Sequence, residues 1–330
     1  MIVQKNNLTV VMYHYVRDLQ YSRYPRIKGL DVELFRQQLG FLKRHYHFVT
    51  VEEIVSAFEN HRCLPDHPVL LTFDDAYVDH FANVFPILKK EHVSGAFYPP
   101  VKAILEHTVL DVNKIHFILA ATQKKDFSKL LHEIEGLLER YREEYHLSSY
   151  ETYYEKLAVA NRFDPAEVIF VKRLLQVELD ESLRKRITDE LFTKVVSEDE
   201  EAFSRELYMS LDQLKCMVDC GMHVGSHGYD HYWLGALPRE RQEMEICKSV
   251  EFIEGIGGNR TCWSMCYPYG NYNEDTLELL KRYGCRLGLT TRVGLTDLTE
   301  CNSDTILTLP RLDTNDLPKD VEAAPGAWYL

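Results

Sequence analysis

The sequence predicts an α/β fold in which parallel strands, each followed by a helix, close a (β/α) barrel. Short apolar runs alternate with amphipathic helical segments over residues 1–100, and the alternation resumes over residues 207–330. Together the two regions supply seven or eight strands, enough to close a barrel. Residues 101–206 show helical periodicity and little strand character. The predicted architecture is therefore one barrel, residues 1–100 and 207–330, with a helical insertion at 101–206.

Before the insertion, strands and helices are predicted from apolar patterning and end signals. Asp31 is placed to cap the first helix, and Pro-Asp-His-Pro supplies a turn before the apolar run at 69–73. Such continuous apolar runs are typical of strands covered on both faces. The predicted strands are 8–13, 48–51, 69–73 and 93–98, and the predicted helices are 31–45, 51–58 and 81–91.

Within and after the insertion, the same signals recur. Apolar residues at helical spacing run from Phe127 to Tyr145, and Asp164-Pro165 is a helix start. Ser210 and Gln213 form a capping box for the next helix, and Gly221 closes it. The predicted later helices are 211–219, 239–255 and 274–283, and the predicted later strands are 222–226, 261–267, 286–290 and 306–309.

Composition and charge exclude several functions. A net charge of −13 argues against nucleic acid or an anionic membrane surface as the main partner. No segment is long and apolar enough to span a membrane, and the first apolar run is too short for a signal peptide, so a cytoplasmic protein is expected. The eight cysteines form no CxxC pair, which favours reduced thiols over a disulfide framework. The oligomeric state is left open.

Polar residues that could catalyse a reaction or bind a metal lie at the ends of four predicted strands, where α/β barrels have their active sites. They are His14, Asp74-Asp75, His227 and the Tyr267-Pro-Tyr-Gly270 turn. Paired acids alone favour a helix cap or a structural cation. His227 and His231 are four residues apart, and with one carboxylate they make a facial metal site with open positions. The alternatives are a surface pair of histidines and a non-haem iron site.

Three motifs carry a family resemblance. Leu71-Thr-Phe-Asp-Asp75, Gly225-Ser-His-Gly-Tyr-Asp-His231 and Tyr267-Pro-Tyr-Gly270 occur in the order found in the polysaccharide deacetylases, the NodB-homology carbohydrate esterases. The resemblance covers about residues 1–100 and 207–315, and it implies a distorted (β/α) barrel. It also implies a general base at Asp74. It implies that Asp75, His227 and His231 bind a divalent metal, most often Zn²⁺, with Co²⁺, Ni²⁺ or Fe²⁺ as alternatives. The N–H of Tyr269 would contribute to an oxyanion hole.

The sequence departs from the family in ways that lead to two further hypotheses. It has no histidine after His231, whereas most members place a catalytic one in a C-terminal motif. Val11-Met-Tyr-His14 resembles the subgroup that includes poly-N-acetylglucosamine deacetylases, which implies His14 as general acid; a structural pairing is the alternative. Cys266 stands where many members have an arginine. Arg311 is hypothesised to replace that arginine and hold Asp74, with a surface salt bridge as the alternative.

The resemblance implies an acetylated sugar or glycan as substrate. Together with the expected location, this favours a precursor or intermediate of a surface polysaccharide. The predicted substrate contacts are Tyr267, Pro268, Tyr77 and Tyr229, although aromatic residues at such positions also pack in cores. Two rival functions are a non-catalytic carbohydrate-binding relative, suggested by Cys266 and by Gly228 in place of the usual Ser or Thr, and a hydrolase of a non-sugar amide such as a cyclic imide.

Overall fold

A computed structural model describes residues 7–161 and 164–329. Residues 1–6, which belong to the N-terminal segment considered for a signal peptide, lie outside the described residues. The chain divides into two compact units. The first comprises residues 1–18, 29–108 and 204–330, and the second comprises residues 19–28 and 109–203.

The first unit carries all the strands of the described chain. They are β1 (Asn7–Tyr13), β2 (Val16–Arg17), β3 (Leu30–Asp31), β4 (His47–Phe48), β5 (Pro68–Asp74), β6 (Ala96–Tyr98), β7 (His223–Val224), β8 (Ser264–Cys266), β9 (Leu287–Leu289), β10 (Thr296–Asp297) and β11 (Leu312–Asp313). Its α-helices are α1 (Val32–His45), α2 (Val51–Glu59), α3 (Phe85–Glu91), α4 (Val101–Leu105) and, numbered after the helices of the second unit, α11 (Leu211–Asp219), α12 (Arg239–Gly255) and α13 (Glu274–Arg282).

Seven parallel segments pair around a closed barrel. β1 pairs with β5, β5 with β6 and β6 with β7. A single bridge between Ser226 and Met265 leads to β8, which pairs with β9. A second bridge, between Leu289 and Leu309, leads towards β11, and β11 pairs with β1. The barrel is distorted because two of its junctions are single bridges rather than ladders.

Local sequence signals explain most helix starts. Asp31 caps α1 by accepting the Glu33 N–H, and capping boxes open α2 at Thr50 and α11 at Ser210. The expected boundaries of the helices at 211–219 and 239–255 agree with α11 and α12. These signals work because they act within a few residues of the chain.

Several expected elements differ in the structure, three of them as follows. The helix expected at 81–91 is a π-helical turn, His80–Val84, followed by α3, because Pro86 has no N–H to donate to the preceding turn. The strand expected at 306–309 is largely a 3₁₀ turn, Thr305–Leu307, since the Asn302 side chain accepts the Thr305 N–H. The strand expected at 261–267 shortens to β8.

The second unit is helical. Its helices are α5 (Asp111–Ala121), α6 (Phe127–Tyr145), α7 (Tyr150–Leu157), α8 (Ala166–Arg173), α9 (Glu181–Val195) and the first half of α10 (Glu200–Leu207). Fully buried Lys114 pairs with Asp189 and Glu200 inside it. The helical character expected for residues 101–206 is thus observed, while the proposed domain boundaries stay a prediction.

Two further expectations concern the whole chain. Across the two described ranges, all eight cysteines are free. None of the helices formed by the described residues is both long enough and apolar enough to cross a membrane.

Candidate metal centre and active site

The carboxyl ends of β5 and β7 bring Asp75, His227 and His231 together. One ligand atom from each side chain lies within 4.8 Å of the other two. Asp75 Oδ1 is 3.4 Å from His227 Nε2 and 3.5 Å from His231 Nε2. Two ligands of a tetrahedral zinc, each about 2.1 Å from the ion, lie about 3.4 Å apart. The spacing of these atoms therefore fits a divalent metal.

The hydrogen bonds of these three residues also fit a metal. In the described part of the chain, buried Asp75 Oδ1 has no hydrogen-bond partner. His227 Nδ1 lies 2.7 Å from the Cys266 carbonyl oxygen, which fixes the proton on Nδ1 and leaves Nε2 as the lone-pair donor. An orphaned carboxylate oxygen facing two imidazoles is costly unless a cation binds there.

Tyr77 orients the carboxylate of Asp75. The Tyr77 hydroxyl donates to Asp75 Oδ2 at 2.6 Å, and its ring stacks on Tyr15 at 3.9 Å between centroids. Tyr77 is fully buried, and burial together with the Asp75 charge raises the pKa of its hydroxyl well above the ordinary value. Because its side chain is fully buried and its hydroxyl bonds the aspartate, the structure adds no support for the predicted substrate contact at Tyr77.

The loop that carries both histidines is held at its backbone. Buried Glu245 accepts the N–H groups of Tyr229 and Asp230 at 2.8 and 2.9 Å. The Lys102 N–H donates to the Tyr229 carbonyl, and the Lys102 ammonium pairs with Asp230. This bracing fixes the positive φ of 54° at His231, a conformation that costs energy for a residue with a side chain.

Asp74, the residue before Asp75, forms a buried pair with Arg311. The guanidinium donates from Nη1 to Oδ1 at 2.9 Å and from Nη2 to Oδ2 at 2.8 Å. Burial alone would raise the pKa of Asp74, but Arg311 outweighs it and lowers that pKa to about 2. Arg311 and Asp74 are each about 1% exposed, so the alternative of a surface salt bridge is wrong.

The Cys266 thiol is the second donor to Asp74. Its Sγ lies 3.4 Å from Asp74 Oδ1. Burial raises the pKa of this thiol, which keeps it protonated and disfavours it as a metal ligand. Asp74, His227 and Cys266 also cluster closely, but both oxygens of Asp74 are already bonded to Arg311. The set with Asp75 and His231 is the better metal site.

His14 lies at the end of β1 on the same rim. Its Nε2 is 3.9 Å from Asp74 Oδ2, and 41% of its side chain is exposed. The backbone carbonyl of His14 accepts a hydrogen bond from buried His80 Nε2 at 2.7 Å. Burial lowers the pKa of His80 to about 4, so this ring is neutral and can donate from Nε2. A partly exposed imidazole beside Asp74 is accessible to a substrate.

The Tyr267–Gly270 turn completes the rim. Tyr269 has a φ of 57°, and its ring lies edge-on to His231 at 4.8 Å and stacks on Trp233 at 4.4 Å. Tyr267 is fully buried with its hydroxyl on the Leu307 carbonyl, and Pro268 is buried as well. These two predicted substrate contacts are core residues in the structure.

The fourth predicted substrate contact, Tyr229, is partly exposed but already engaged. Its hydroxyl donates to Glu106 at 2.5 Å, and its ring lies under the Lys248 ammonium. The aromatic pair Trp233 and Tyr269, half-buried beside His231, is the better-placed surface for a sugar ring. Trp233 is not among the substrate contacts predicted from the sequence.

Comparisons with known proteins agree with this site. Residues 193–288 match the family described as polysaccharide deacetylase, a range that includes His227, His231 and the Tyr267–Gly270 turn. The chain is 34% identical to the peptidoglycan deacetylase of Helicobacter pylori over 73 residues, 22% of this chain and 25% of the relative. It is 31% identical to the poly-beta-1,6-N-acetyl-D-glucosamine N-deacetylase of Escherichia coli over 85 residues, 26% of this chain and 12% of the relative.

The fold has solved counterparts. The deacetylase PplD of Streptococcus pyogenes, solved in complex with acetate, superposes with a TM-score of 0.56 at 19% identity, covering 96% of this chain and 95% of that one. The predicted fold, a distorted (β/α) barrel, and the resemblance to the polysaccharide deacetylase family are confirmed. The matched segments span at most a third of the length of the curated relatives.

Proposed function

We propose that the protein is a metal-dependent hydrolase that removes the acetyl group from an N-acetylated sugar. The observation that carries the proposal is the orphaned Asp75 Oδ1 facing His227 Nε2 and His231 Nε2, directly beside the buried Asp74–Arg311 pair. A metal-ligand set next to an oriented, ionised carboxylate is a combination that can catalyse amide hydrolysis. The names of the matched relatives support acetylated glycans as the substrate class.

The metal would be held by Asp75, His227 and His231. When bound, a divalent ion such as Zn²⁺ supplies Lewis acidity, which polarises the acetyl carbonyl and lowers the pKa of a coordinated water. The remaining chemistry belongs to the side chains around it. Tyr77 and the Cys266 carbonyl fix the orientation of two of the ligands.

Asp74 acts as the general base. It takes a proton from the attacking water while the water oxygen bonds to the acetyl carbon. Arg311 keeps the carboxylate ionised and fixes its plane through two parallel hydrogen bonds. The N–H of Tyr269 is assigned to the developing oxyanion, because its left-handed turn lies beside His231.

His14 acts as the general acid. The carbon–nitrogen bond breaks as a proton passes from the imidazole to the amine of the sugar, which releases acetate and a free amino sugar. An unprotonated amine anion is a very poor leaving group, so this proton is essential. The 3.9 Å between His14 Nε2 and Asp74 Oδ2 lets acid and base act on the same amide.

The finer identity of the substrate is also part of the proposal. We assign the reaction to an N-acetylated sugar that is a precursor or intermediate of a surface polysaccharide and is acted on in the cytoplasm. The half-buried stack of Trp233 and Tyr269 offers an apolar face beside the site, suited to a sugar ring.

The test combines metal content with acetate release. Purified protein is assayed with N-acetylglucosamine oligosaccharides, UDP-N-acetylglucosamine and a cyclic imide, before and after chelation and zinc addition. The proposal expects bound metal, acetate release from one of the sugars and loss of both in His231→Ala. Metal binding without acetate release would favour a carbohydrate-binding role, and turnover of the imide alone would favour the non-sugar hydrolase. A protein that neither binds zinc nor releases acetate would overturn the proposal.

A further inference from the structure

A buried chain of hydrogen bonds leads away from the candidate metal centre to the surface. Glu52 of α2 contacts His223 of β7, with 2.9 Å between Oε1 and Nδ1. His223 Nε2 lies 2.8 Å from Ser264 Oγ on β8, and Ser264 Oγ lies 3.0 Å from the Tyr98 hydroxyl at the end of β6. Tyr98 and Ser264 have no exposed surface and His223 is 8% exposed, whereas Glu52 is partly exposed.

The donors and acceptors of this chain have one consistent order. The contact with His223 helps lower the pKa of Glu52 to about 2 against its burial, so the carboxylate is ionised and can only accept. The His223 ring donates from Nδ1 to this carboxylate, and its Nε2 accepts from the Ser264 hydroxyl when that nitrogen carries no proton. Ser264 Oγ in turn accepts from the Tyr98 hydroxyl. Every donor has an acceptor, which is the condition under which a buried polar network rigidifies a core.

Tyr98 touches both segments that supply the proposed ligands. Its carbonyl oxygen accepts the Asp75 N–H at 3.1 Å. This bond continues the pairing of β5 with β6, in which Tyr98 lies opposite Asp74. Its ring lies over Gly225, two residues before His227, so closely that a Cβ on Gly225 would be 2.5 Å from the ring. A shift of the Tyr98 ring would therefore move the strand end that carries His227.

Ser264 adds a third connection. Its carbonyl oxygen accepts the Ser226 N–H at 2.8 Å, and the Cys266 N–H donates to the Ser226 carbonyl at 2.8 Å. Cys266 is the residue whose carbonyl fixes the tautomer of His227. The hydrogen-bond chain therefore ends at residues whose backbone positions Asp75, His227 and the Cys266 carbonyl that accepts from His227.

We propose that Tyr98, Ser264, His223 and Glu52 form a positioning network that sets the geometry of the Asp75–His227–His231 centre. The proposal rests on the proposed metal site but not on the identity of the substrate. A purely structural role is the alternative: a polar column that only fills the barrel would contribute to stability and leave metal binding unchanged.

The test measures metal binding directly, in the full-length protein. Tyr98→Phe removes one hydroxyl and keeps the ring, and Ser264→Ala interrupts the hydrogen-bond chain. Glu52→Ala removes the outer end of that chain, at a partly exposed position. Zinc affinity is measured by competition with a chromogenic chelator, and ligand geometry by the visible spectrum of the Co²⁺-substituted protein. Tyr283→Phe is the matched control, because it removes a hydroxyl bonded to Glu243 instead.

We expect Tyr98→Phe and Ser264→Ala each to weaken zinc binding about tenfold or more, as loss of a group that orients metal ligands does. The visible spectrum of the Co²⁺-substituted protein should shift in both variants. Glu52→Ala should also weaken zinc binding, but by less than Tyr98→Phe or Ser264→Ala. The double variant Tyr98→Phe/Ser264→Ala should bind zinc about as weakly as either single variant, because both substitutions interrupt the same hydrogen-bond chain. Wild-type zinc affinity and spectrum in all three variants, with only a lower melting temperature, would overturn the network. A wild-type protein that binds zinc and releases no acetate would instead overturn the proposed function alone.

Discussion

Asp74 and Arg311, 237 residues apart in the chain, form a fully buried bidentate ion pair beside the proposed metal ligands. The guanidinium is itself held, since Nε donates to the Thr290 carbonyl at 2.9 Å and Nη1 also reaches the Thr72 hydroxyl at 3.1 Å. A carboxylate locked in this way has one orientation and stays ionised. Arg311, the residue before the last strand of the barrel, thus fixes the orientation of the Asp74 carboxylate at the end of β5.

The pair predicts the outcome of Arg311→Lys. Lysine keeps the positive charge but cannot make two parallel hydrogen bonds, so the carboxylate of Asp74 loses its fixed plane. We expect kcat to fall by about 10- to 100-fold, with KM and zinc content close to wild type. The comparison is with Arg260→Lys, which alters a bond to the Tyr283 carbonyl away from the site. Unchanged kcat in Arg311→Lys would show that Asp74 needs no orientation.

His14→Ala tests the general acid. Removing the imidazole deprives the departing amine of its proton, and general acid–base catalysis contributes about 10²- to 10⁴-fold. We therefore expect kcat to fall by about 100-fold or more, with zinc content unchanged because His14 is not in the ligand set. His132→Ala, an exposed histidine of the second unit, is the control. Near-normal turnover would remove His14 from the mechanism.

Tyr77→Phe separates metal affinity from packing. The change keeps the ring stacked on Tyr15 and leaves Asp75 Oδ2 without its donor. Zinc affinity should fall by about 10- to 100-fold, and the metal-free protein should lose about 1–2 kcal/mol of unfolding free energy. Chelator competition and urea titration measure the two effects. Tyr141→Phe, which removes a buried hydroxyl bonded to Glu190, should show only the loss of stability.

The sequence alone could predict the rim of the site, because strand ends in a parallel barrel converge on one edge. Asp74, Asp75 and His227 follow apolar runs that a reader of the sequence can find. The capped helices α2 and α11 were predictable for a similar reason, since their signals are local.

The supporting residues could not be predicted in this way. Tyr98 is visible in the sequence only as the last residue of a strand, and its contacts depend on the register of β6 against β5 and on a glycine about 130 residues away. Buried Glu245 looks like any glutamate of a charged helix. Tyr77 was predicted to contact substrate because aromatics often do, whereas burial directs its hydroxyl to Asp75.

The pKa of Glu52 predicts how the outer end of the network responds to acid. Its folded-state pKa is lowered to about 2 from an ordinary 4.5, with burial opposed by the bonds to His223 and Asn259. A lowered carboxyl pKa stabilises the fold above the unfolded value, and this stabilisation is lost as the pH falls through 4.5 towards 2. Glu52→Gln should therefore be less stable than wild type at pH 7, and the difference should shrink steadily below pH 4.5. Urea unfolding at pH 7, 4 and 3 measures it, with Glu251→Gln on the exposed face of α12 as the control. A gap between wild type and Glu52→Gln that stays constant from pH 7 to 3 would mean that the charge on Glu52 does not stabilise its contact with His223.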